Sequence, residues 1–193
     1  QRQMCIRDSC NMLQGYVEGN HGANAPTHVA VIFDKGSHTF RNELYDQYKA
    51  NRDEMPEDLR PQMPLTRQAT RAFNIACEEI EGYEADDIIA TLTVQAREAG
   101  GAVTIISSDK DLMQLVGSGV EMYDAMKNRT IDRDGVFAKF GVFPDRVVDV
   151  QALAGDSVDN VPGAPGIGVK TAALLINEFG DLETLLQRAI EIK

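Results

Sequence analysis

Two short apolar runs, each ending in an aspartate, most strongly constrain the fold of this 193-residue chain. HVAVIFD covers 28–34 and AVTIISSD covers 102–109. Continuous apolar runs of this length are typical of strands that are buried on both faces of a parallel sheet. A third strand is predicted over 120–126, and helical patterns cover 84–100 and 133–141. Alternating strands and helices predict an α/β fold whose parallel sheet has helices on both faces.

The pattern changes near residue 145, after which it is helical except for one glycine-rich loop. We therefore predict an α/β domain over 12–144 and a small helical subdomain over 145–193. Residues 1–11 are predicted to be a non-native or disordered leader, because their beginning has no useful hydrophobic period. Helices are expected over 11–25 and, with proline interruptions, over 56–73.

The formal net charge of −11 would by itself disfavour nucleic acid as a partner. The charge is uneven, however, because 35–71 holds seven Lys/Arg against six Asp/Glu and the acidic surplus gathers in short motifs elsewhere. No run of 18 apolar residues and no secretory segment is present, and the three cysteines lack metal-ligand spacing. These features predict a cytoplasmic protein with reduced thiols and no membrane partner.

Carboxylates follow the predicted strands and begin the predicted helices. Ligands of open α/β sheets collect at the carboxyl ends of strands. The acids expected at this edge are Asp34, Glu84, Asp86, Asp87, Asp109, Asp111, Asp156 and Asp159. A single aspartate at a helix start is usually a cap, but capping does not explain four acidic motifs at one edge. Because no histidine joins them, they favour two Mg²⁺ or Mn²⁺ ions, which support phosphodiester hydrolysis.

The loop GAPGIGVKT, 163–171, nearly matches a nucleotide-binding P-loop. Lys170 comes one position late and a helical pattern precedes the loop, whereas a P-loop follows a strand. The alternatives are a helix-hairpin-helix turn, whose glycine N–H groups grip a phosphate, and an ordinary helix–helix turn. A calcium loop beginning at Asp132 is rejected, because its twelfth residue is Phe143 rather than glutamate.

A basic, aromatic segment, FRNELYDQYKANR, covers 40–52. At helical spacing it aligns Arg41 with Tyr45, and then Tyr45 with Tyr48, Lys49 and Arg52. Cations of this kind attract phosphates, and aromatic rings stack on unpaired bases. The alternative interpretation is a solvated amphipathic helix.

In order along the chain, the motifs are VAVIFD, FRNELYDQYKANR, GYEADD, SSDKDL, GDSVDN and PGAPGIGVKTA. Together they resemble the 5′→3′ exonuclease, or flap endonuclease, family found at the N-terminus of bacterial DNA polymerase I. The resemblance covers about residues 12–193. It implies a PIN-like parallel sheet flanked by helices, a helical arch at about 38–60, and a C-terminal helix-three-turn-helix subdomain.

The resemblance also implies roles for individual residues. The first metal ion would use Asp34, Glu84, Asp86 and Asp87, and the second Asp109, Asp111, Asp156 and Asp159. Tyr48, Lys49 and Arg52 would orient the scissile phosphate, with Arg41 and Tyr45 also contacting DNA. The DNA clamp would consist of Gly163, Gly166, Gly168, Lys170 and Thr171, and it can hold K⁺ in this family. The implied partner is DNA with a 5′ flap, a nick or a duplex 5′ end. The resemblance also implies a monomer and a polymerase region that follows this domain in the full-length protein.

One departure from the family concerns its first strand, which carries an Asp-Gly motif. Here QRQMCIRDS occupies 1–9 without an apolar strand, so Asp8 receives no metal role. We expect the chain to be a fragment that begins with a foreign leader and lacks one of the family's metal ligands. Two alternatives therefore stay open, a catalytically inactive module that binds flap or duplex DNA and a PIN-type RNase.

Overall fold

The computed structural model describes residues 6–18 and 26–192. The helices are α1 (Ile6–Val17), α2 (Phe40–Leu44), α3 (Met63–Ala72), α4 (Ala85–Glu98), α5 (Arg133–Phe140), α6 (Val147–Ala154), α7 (Val169–Phe179) and α8 (Leu182–Gln187). The strands are β1 (Ala30–Ile32), β2 (Ala76–Glu78), β3 (Val103–Ile106), β4 (Val120–Asp124) and β5 (Arg129–Ile131). Single 3₁₀ turns cover Arg60–Gln62, Asp111–Leu115, Pro144–Arg146 and Ala189–Glu191.

The chain divides into two compact units. Unit 1 contains the chain up to residue 40 together with 53–88, and unit 2 contains 41–52 and everything from residue 89 onward. The basic segment is thus folded with residues that lie far away in sequence. The first turn of helix α4 belongs to unit 1 and the rest of the helix belongs to unit 2.

Unit 1 contains a two-stranded parallel sheet in which Ile32 pairs with Glu78. Strand β1 has one exposed and two half-buried residues, so the prediction of a strand buried on both faces is wrong here. In the described residues β1 pairs with β2 alone, so it is an edge strand. Its apolar side chains are therefore partly open to solvent. Strand β2, which the sequence analysis did not predict, supplies the partner.

Helix α1 begins at Ile6, five residues before the predicted helix over 11–25, and packs on α3. Residues 6–11 of the predicted leader thus form its first turns, while 1–5 and 19–25 lie outside the described residues. Helix α3 begins at Met63 rather than near residue 56. Pro64 then occupies the first turn of α3, where a missing N–H costs no hydrogen bond.

Unit 2 contains a three-stranded sheet in the order β3-β4-β5. Strands β3 and β4 are parallel, as predicted, but β5 runs antiparallel to β4. The expectation of a wholly parallel sheet is therefore wrong for this strand, because the turn between β4 and β5 is too short for a crossover. The core lies against this sheet, with Met122, Val136, Val147, Val150 and Ile176 at most 1% exposed.

The helix predicted over 133–141 is confirmed as α5, which Gly141 terminates in the left-handed region at φ 75°. Asp132 caps its N-terminus, since its carboxylate accepts a hydrogen bond from Gly135 N at 2.8 Å. The motif DRDG is therefore a helix cap, in agreement with the rejection of a calcium loop. Within the described ranges, no helix is long and apolar enough to cross a membrane.

The basic segment is less helical than predicted. Helix α2 ends at Leu44, and turns follow, with hydrogen bonds from Tyr48 N to Tyr45 O and from Arg52 N to Lys49 O. Lys49 has a φ of 56°, which a continuous helix does not allow. Tertiary contacts described below replace the helical hydrogen bonds.

Candidate functional site

In unit 1, Asp34 follows β1 and caps helix α4. Its Oδ1 accepts a hydrogen bond from Ala85 N at 2.7 Å. Ala85 is the first residue of α4, where an unpaired N–H and the helix dipole both favour a carboxylate. The acid at the end of β1 therefore has a structural partner.

Asp87 also stabilises the start of α4. Its Oδ2 accepts from Glu84 N at 3.0 Å, which is the reciprocal half of a capping box. Glu84 and Asp86 lie on the same turn and are half-buried. Unit 1 thus holds four of the predicted acids: three are close in sequence to the start of α4, and Asp34 reaches it from the end of β1. Asp34 and Asp87 accept backbone N–H groups there.

Arg67, which the sequence analysis did not single out, fixes the ends of both strands of this sheet. It donates from Nη2 to Asp34 O at 2.7 Å and from Nε to Glu79 Oε2 at 2.6 Å. Its guanidinium also lies 4.8 Å from the centre of the Phe33 ring. The hydrogen bond from Arg67 lowers the pKa of Glu79. Glu79 follows β2, so a correct prediction of that strand would have revealed this acid.

In unit 2, Asp109 and Asp111 follow β3. Asp109 Oδ1 accepts from Asp111 N at 3.0 Å, and Gln151 Nε2 of α6 donates to Asp111 Oδ1 at 2.5 Å. Burial raises the pKa of Asp111, and the nearby Asp109 and Asp156 carboxylates raise it further. These three predicted acids therefore act on one another electrostatically, as a cation-binding group requires.

Lys110 lies among these acids and forms an ion pair with Asp156 at 2.7 Å. Burial works to lower the pKa of Lys110, but the hydrogen bond to Asp156 and the Asp111 and Asp109 charges outweigh it and raise the pKa. Burial likewise works to raise the pKa of Asp156, whereas the Lys110 hydrogen bond and the Val158 N–H lower it. Lys110 thus partly neutralises the negative charge of Asp109, Asp111 and Asp156.

The acidic loop, 155–163, carries Asp156 and Asp159 and is closed by a close backbone approach. A Cβ on Gly155 would lie 2.3 Å from Gly163 N, and Gly155 has a φ of 71°. Two backbone hydrogen bonds join Asp156 and Val161, at 2.8 and 2.7 Å. Glycine at both ends of GDSVDNVPG is therefore a steric requirement of the loop.

Asp159 gathers the three residues predicted to orient a phosphate. Its Oδ1 lies 2.5 Å from Arg52 Nη2, and its Oδ2 lies 3.7 Å from Lys49 Nζ and 3.3 Å from the hydroxyl of Tyr48. Lys49 Nζ also lies 4.9 Å from the centre of the Tyr48 ring. The other two predicted contacts to DNA, Arg41 and Tyr45, lie in the preceding turn, where Tyr45 N donates to Arg41 O at 2.9 Å.

No three His, Cys, Asp or Glu side chains surround a point that could hold a metal ion, within 6–18 and 26–192. Within these residues, neither the predicted acids of unit 1 nor those of unit 2 therefore form a preformed cage. The donor chemistry nevertheless fits a hard divalent cation, because all eight groups offer carboxylate oxygens. In unit 2 the group Asp109, Asp111 and Asp156 also shows the mutual repulsion that a cation relieves.

The glycine-rich loop joins α6 to α7. Helix α6 precedes it, so the rejection of a P-loop, which requires a strand, is confirmed. Gly166 has a φ of 79°, and Gly168 is the N-cap of α7, with Ala172 N donating to Gly168 O at 2.9 Å. Lys170 and Thr171 are exposed on the first turn of α7. A helix N-terminus with an exposed cation suits an anionic phosphate.

Two family models cover nearly the whole chain. The 5′-3′ exonuclease N-terminal resolvase-like domain matches residues 3–141, and the 5′-3′ exonuclease C-terminal SAM fold matches 142–193. DNA polymerase I of Rhizobium leguminosarum is 58% identical over 187 residues, which cover 95% of this chain and 18% of that protein. Flap endonuclease Xni of Cronobacter sakazakii is 40% identical over 173 residues, covering 89% and 69%.

The fold is also similar to solved structures. The T5 D15 protein co-crystallized with metal ions has a TM-score of 0.82 at 23% identity, covering 95% of this chain and 71% of that one. The T5 D15 flap endonuclease in a pseudo-enzyme-product complex with DNA and metal ions has a TM-score of 0.80 at 23% identity, covering 95% and 70%. These similarities agree with the predicted α/β, PIN-like architecture and its helical C-terminal part.

Proposed function

Because the chain belongs to the 5′-3′ exonuclease family, we propose that it is a metal-dependent 5′→3′ exonuclease and flap endonuclease. It would hydrolyse DNA phosphodiester bonds at 5′ ends and flaps during replication and repair. The chain spans 18% of the length of the Rhizobium DNA polymerase I. We infer that a polymerase region follows it in the full-length protein.

The observation that carries the proposal is the acidic group of unit 2. Asp111 is half-buried beside Asp109 and Asp156, and burial and their charges raise its pKa. Perturbed carboxylates at a strand end are typical of an active site, whereas isolated helix caps accept backbone N–H groups without such repulsion. In a chain of this family, the group is best explained as a binding site for a divalent cation.

Two Mg²⁺ or Mn²⁺ ions, when bound, would supply an activated water and stabilise the leaving oxygen. In unit 1, the residues to hold an ion are Asp34, Glu84, Asp86 and Asp87. In unit 2 they are Asp109, Asp111, Asp156 and Asp159, some of them through water. Lys49 and Arg52 would donate hydrogen bonds to the non-bridging oxygens of the scissile phosphate, and Tyr48 would fix the position of Lys49.

DNA would be held by the loop between α6 and α7. The N-terminus of α7, with Lys170 and Thr171, would bind a backbone phosphate without reading sequence. The loop carbonyls near Gly163, Gly166 and Gly168 would accept K⁺. Arg41 and Tyr45 would contact the 5′ strand, stacking and ion pairing as in other proteins that bind single strands.

The domain limits belong to the proposal too. We place the nuclease domain over 12–144, with the arch at about 38–60, and the DNA-binding subdomain over 145–193. The chain would act as a monomer in the cytoplasm. Support for the boundary comes from the family models, which meet between residues 141 and 142.

The test is cleavage of a 5′-flap DNA duplex by the full chain with Mg²⁺ or Mn²⁺, with EDTA as the control. The proposal requires products cut at the flap junction or the 5′ end, and their loss in EDTA. Binding without cutting would contradict it and support an inactive DNA-binding module. Equal cutting of single-stranded RNA would instead support a PIN-type RNase.

A further inference from the structure

Two asparagines join the basic turn, 47–52, to the acidic loop. Asn51 Nδ2 of the turn donates to Ser157 O of the loop at 2.9 Å. Asn160 Nδ2 of the loop donates to Gln47 O of the turn at 2.7 Å. Each segment thus supplies one side-chain amide and one backbone carbonyl, so the two hydrogen bonds are reciprocal.

A backbone hydrogen bond lies between these two asparagine contacts in sequence. Lys49 N donates to Asp159 O at 2.9 Å, which fixes the backbone that carries the candidate phosphate-binding cation. The Asp159 side chain faces Lys49 and Arg52 at the same place. Three neutral hydrogen bonds therefore surround the ionic contacts of Asp159.

The neutral hydrogen bonds are better suited than the ion pairs to set this geometry. The Arg52 side chain is 51% exposed, so solvent screens its ion pair with Asp159, and the more buried Lys49–Asp159 pair is long, at 3.7 Å. An ion pair also tolerates many relative orientations. A hydrogen bond from a side-chain amide to a backbone carbonyl requires a defined distance and direction.

The backbone at both segments is in a conformation that needs such support. Lys49 has a φ of 56° and Asn160 a φ of 58°, both in the left-handed region. Asparagine tolerates this region, whereas lysine adopts it at a cost that the surrounding structure must offset. The hydrogen bonds to the acidic loop provide that support.

We propose that Asn51 and Asn160 are positioning residues that hold Tyr48, Lys49 and Arg52 beside the acidic loop. Neither amide touches the substrate; each acts through the backbone that carries the cations. A phosphate arriving at the loop then meets cations that are already in place, which lowers the entropic cost of the cutting step. This inference rests on the proposed function.

The first experiment compares Asn51→Ala and Asn160→Ala with Asn177→Ala. Asn177 donates a similar bond, to Gly141 O at 2.8 Å, from the last turn of α7, and no DNA contact is proposed for that turn. On a 5′-flap duplex, Asn51→Ala and Asn160→Ala should slow single-turnover cutting about 10- to 100-fold, with flap affinity nearly unchanged. The Asn177→Ala rate should stay within about twofold of the parent. Equal rates in all three variants would overturn the proposal.

A combined variant tests whether the asparagine acts through the cations. Because Asn51 is proposed to hold Lys49 as well as Arg52, Asn51→Ala should slow the enzyme that carries both Lys49→Ala and Arg52→Ala less than about twofold, although it slows the parent more strongly. Fully multiplicative effects would mean that Asn51 acts elsewhere and would overturn the positioning role.

Amide hydrogen exchange separates failure of this inference from failure of the proposed function, because it needs no cleavage. In the parent chain the Lys49 N–H should be protected, and in Asn51→Ala and Asn160→Ala its exchange should accelerate at least about tenfold. Global unfolding is controlled for by the amides of β4. An unchanged Lys49 exchange rate would overturn the proposal even in a chain that cuts DNA.

Discussion

The acids of unit 1 and unit 2 are of the same type and follow similar sequence patterns, yet they have different partners. Asp34 and Asp87 accept backbone N–H groups at the start of α4. Asp111 and Asp156 accept side-chain donors from distant or neighbouring segments and repel each other. Backbone-bound carboxylates stabilise a helix, whereas mutually repelling carboxylates gain most from a cation. The acids of unit 1 therefore combine a structural hydrogen bond with their proposed metal role, whereas Asp111 of unit 2 is repelled by neighbouring carboxylates, a repulsion that a cation would relieve.

The largest expected effect is the loss of cutting when one charge is removed from the unit 2 group. Asp109→Asn keeps an oxygen that can accept from Asp111 N but removes a candidate metal ligand. Flap cleavage should fall by at least about 10²–10³-fold, while flap binding and thermal stability stay near those of the parent. If Asp109→Asn instead unfolds, and its remaining folded fraction cuts flaps as fast as the parent, then Asp109 is structural. That result would remove the contrast between the two units.

The next effect concerns the backbone that presents Asp156 and Asp159. Gly155→Ala places a Cβ against Gly163 N at a positive φ and should cost about 2–4 kcal/mol of unfolding free energy. Gly166→Ala is the matched control, because its φ of 79° is similar and no atom lies within 4 Å of its Cβ. It should cost only about 1 kcal/mol. If urea unfolding shows that both variants lose the same unfolding free energy, then Gly155 and Gly163 do not approach each other this closely in solution.

For unit 1, two substitutions at Asp34 separate the cap from the charge. Asp34→Ala removes the acceptor for Ala85 N and should cost about 1 kcal/mol of stability. Asp34→Asn, which caps about as well, should restore most of that stability but not the cutting activity. Thermal unfolding and flap cleavage of both variants provide the measurement. Recovery of cutting in Asp34→Asn would assign Asp34 to capping alone.

The smallest effect is expected at Asp124, an acid of unit 2 that is not among the proposed metal ligands. Asp124 belongs to unit 2 but accepts from the backbone N–H groups of Met126 and Lys127, as the acids of unit 1 do from α4. Asp124→Asn should leave cutting unchanged and lower stability by about 1 kcal/mol at pH 7. A large fall in cutting would contradict the purely structural role of Asp124.

The pH dependence of that stability loss has a definite sign. Burial works to raise the pKa of Asp124, but the Lys127 hydrogen bonds outweigh it and lower the pKa. Its stabilising contribution is therefore complete above the ordinary value of about 3.9 and is lost as the pH falls through the lower folded-state pKa. The difference in melting temperature between parent and Asp124→Asn should be constant from about pH 7 to 5 and shrink below about pH 4.

The fold was predictable where the sequence has long or strongly patterned segments. Helices α4 and α5 and strands β3 and β4 agree with their predicted positions. Strands β2 and β5 have three residues each, too few to show a period. The helical spacing assumed for the basic segment is wrong beyond Leu44, because the turns that follow depend on hydrogen bonds to residues more than 100 positions away.

For the candidate site, the sequence revealed the acids but not the residues that hold them. Strand ends and helix starts mark carboxylates in any α/β chain, so Asp34 and Asp109 could be found. Arg67 and Gln151 stand outside the quoted motifs. Asn51 and Asn160 stand inside FRNELYDQYKANR and GDSVDN, but neither motif indicates which residues they bind. Their hydrogen bonds join segments that only the folded chain brings together, and sequence periodicity contains no information on such contacts.

The decisive measurement is a titration of the full chain with Mn²⁺, in which the electron paramagnetic resonance signal reports the concentration of free ion. We expect the parent chain and Asp124→Asn to bind Mn²⁺ alike, and Asp109→Asn combined with Asp156→Asn to weaken binding at least about tenfold. Equal Mn²⁺ affinity in all three folded proteins would contradict the claim that the mutually repelling carboxylates of unit 2 form the cation-binding site.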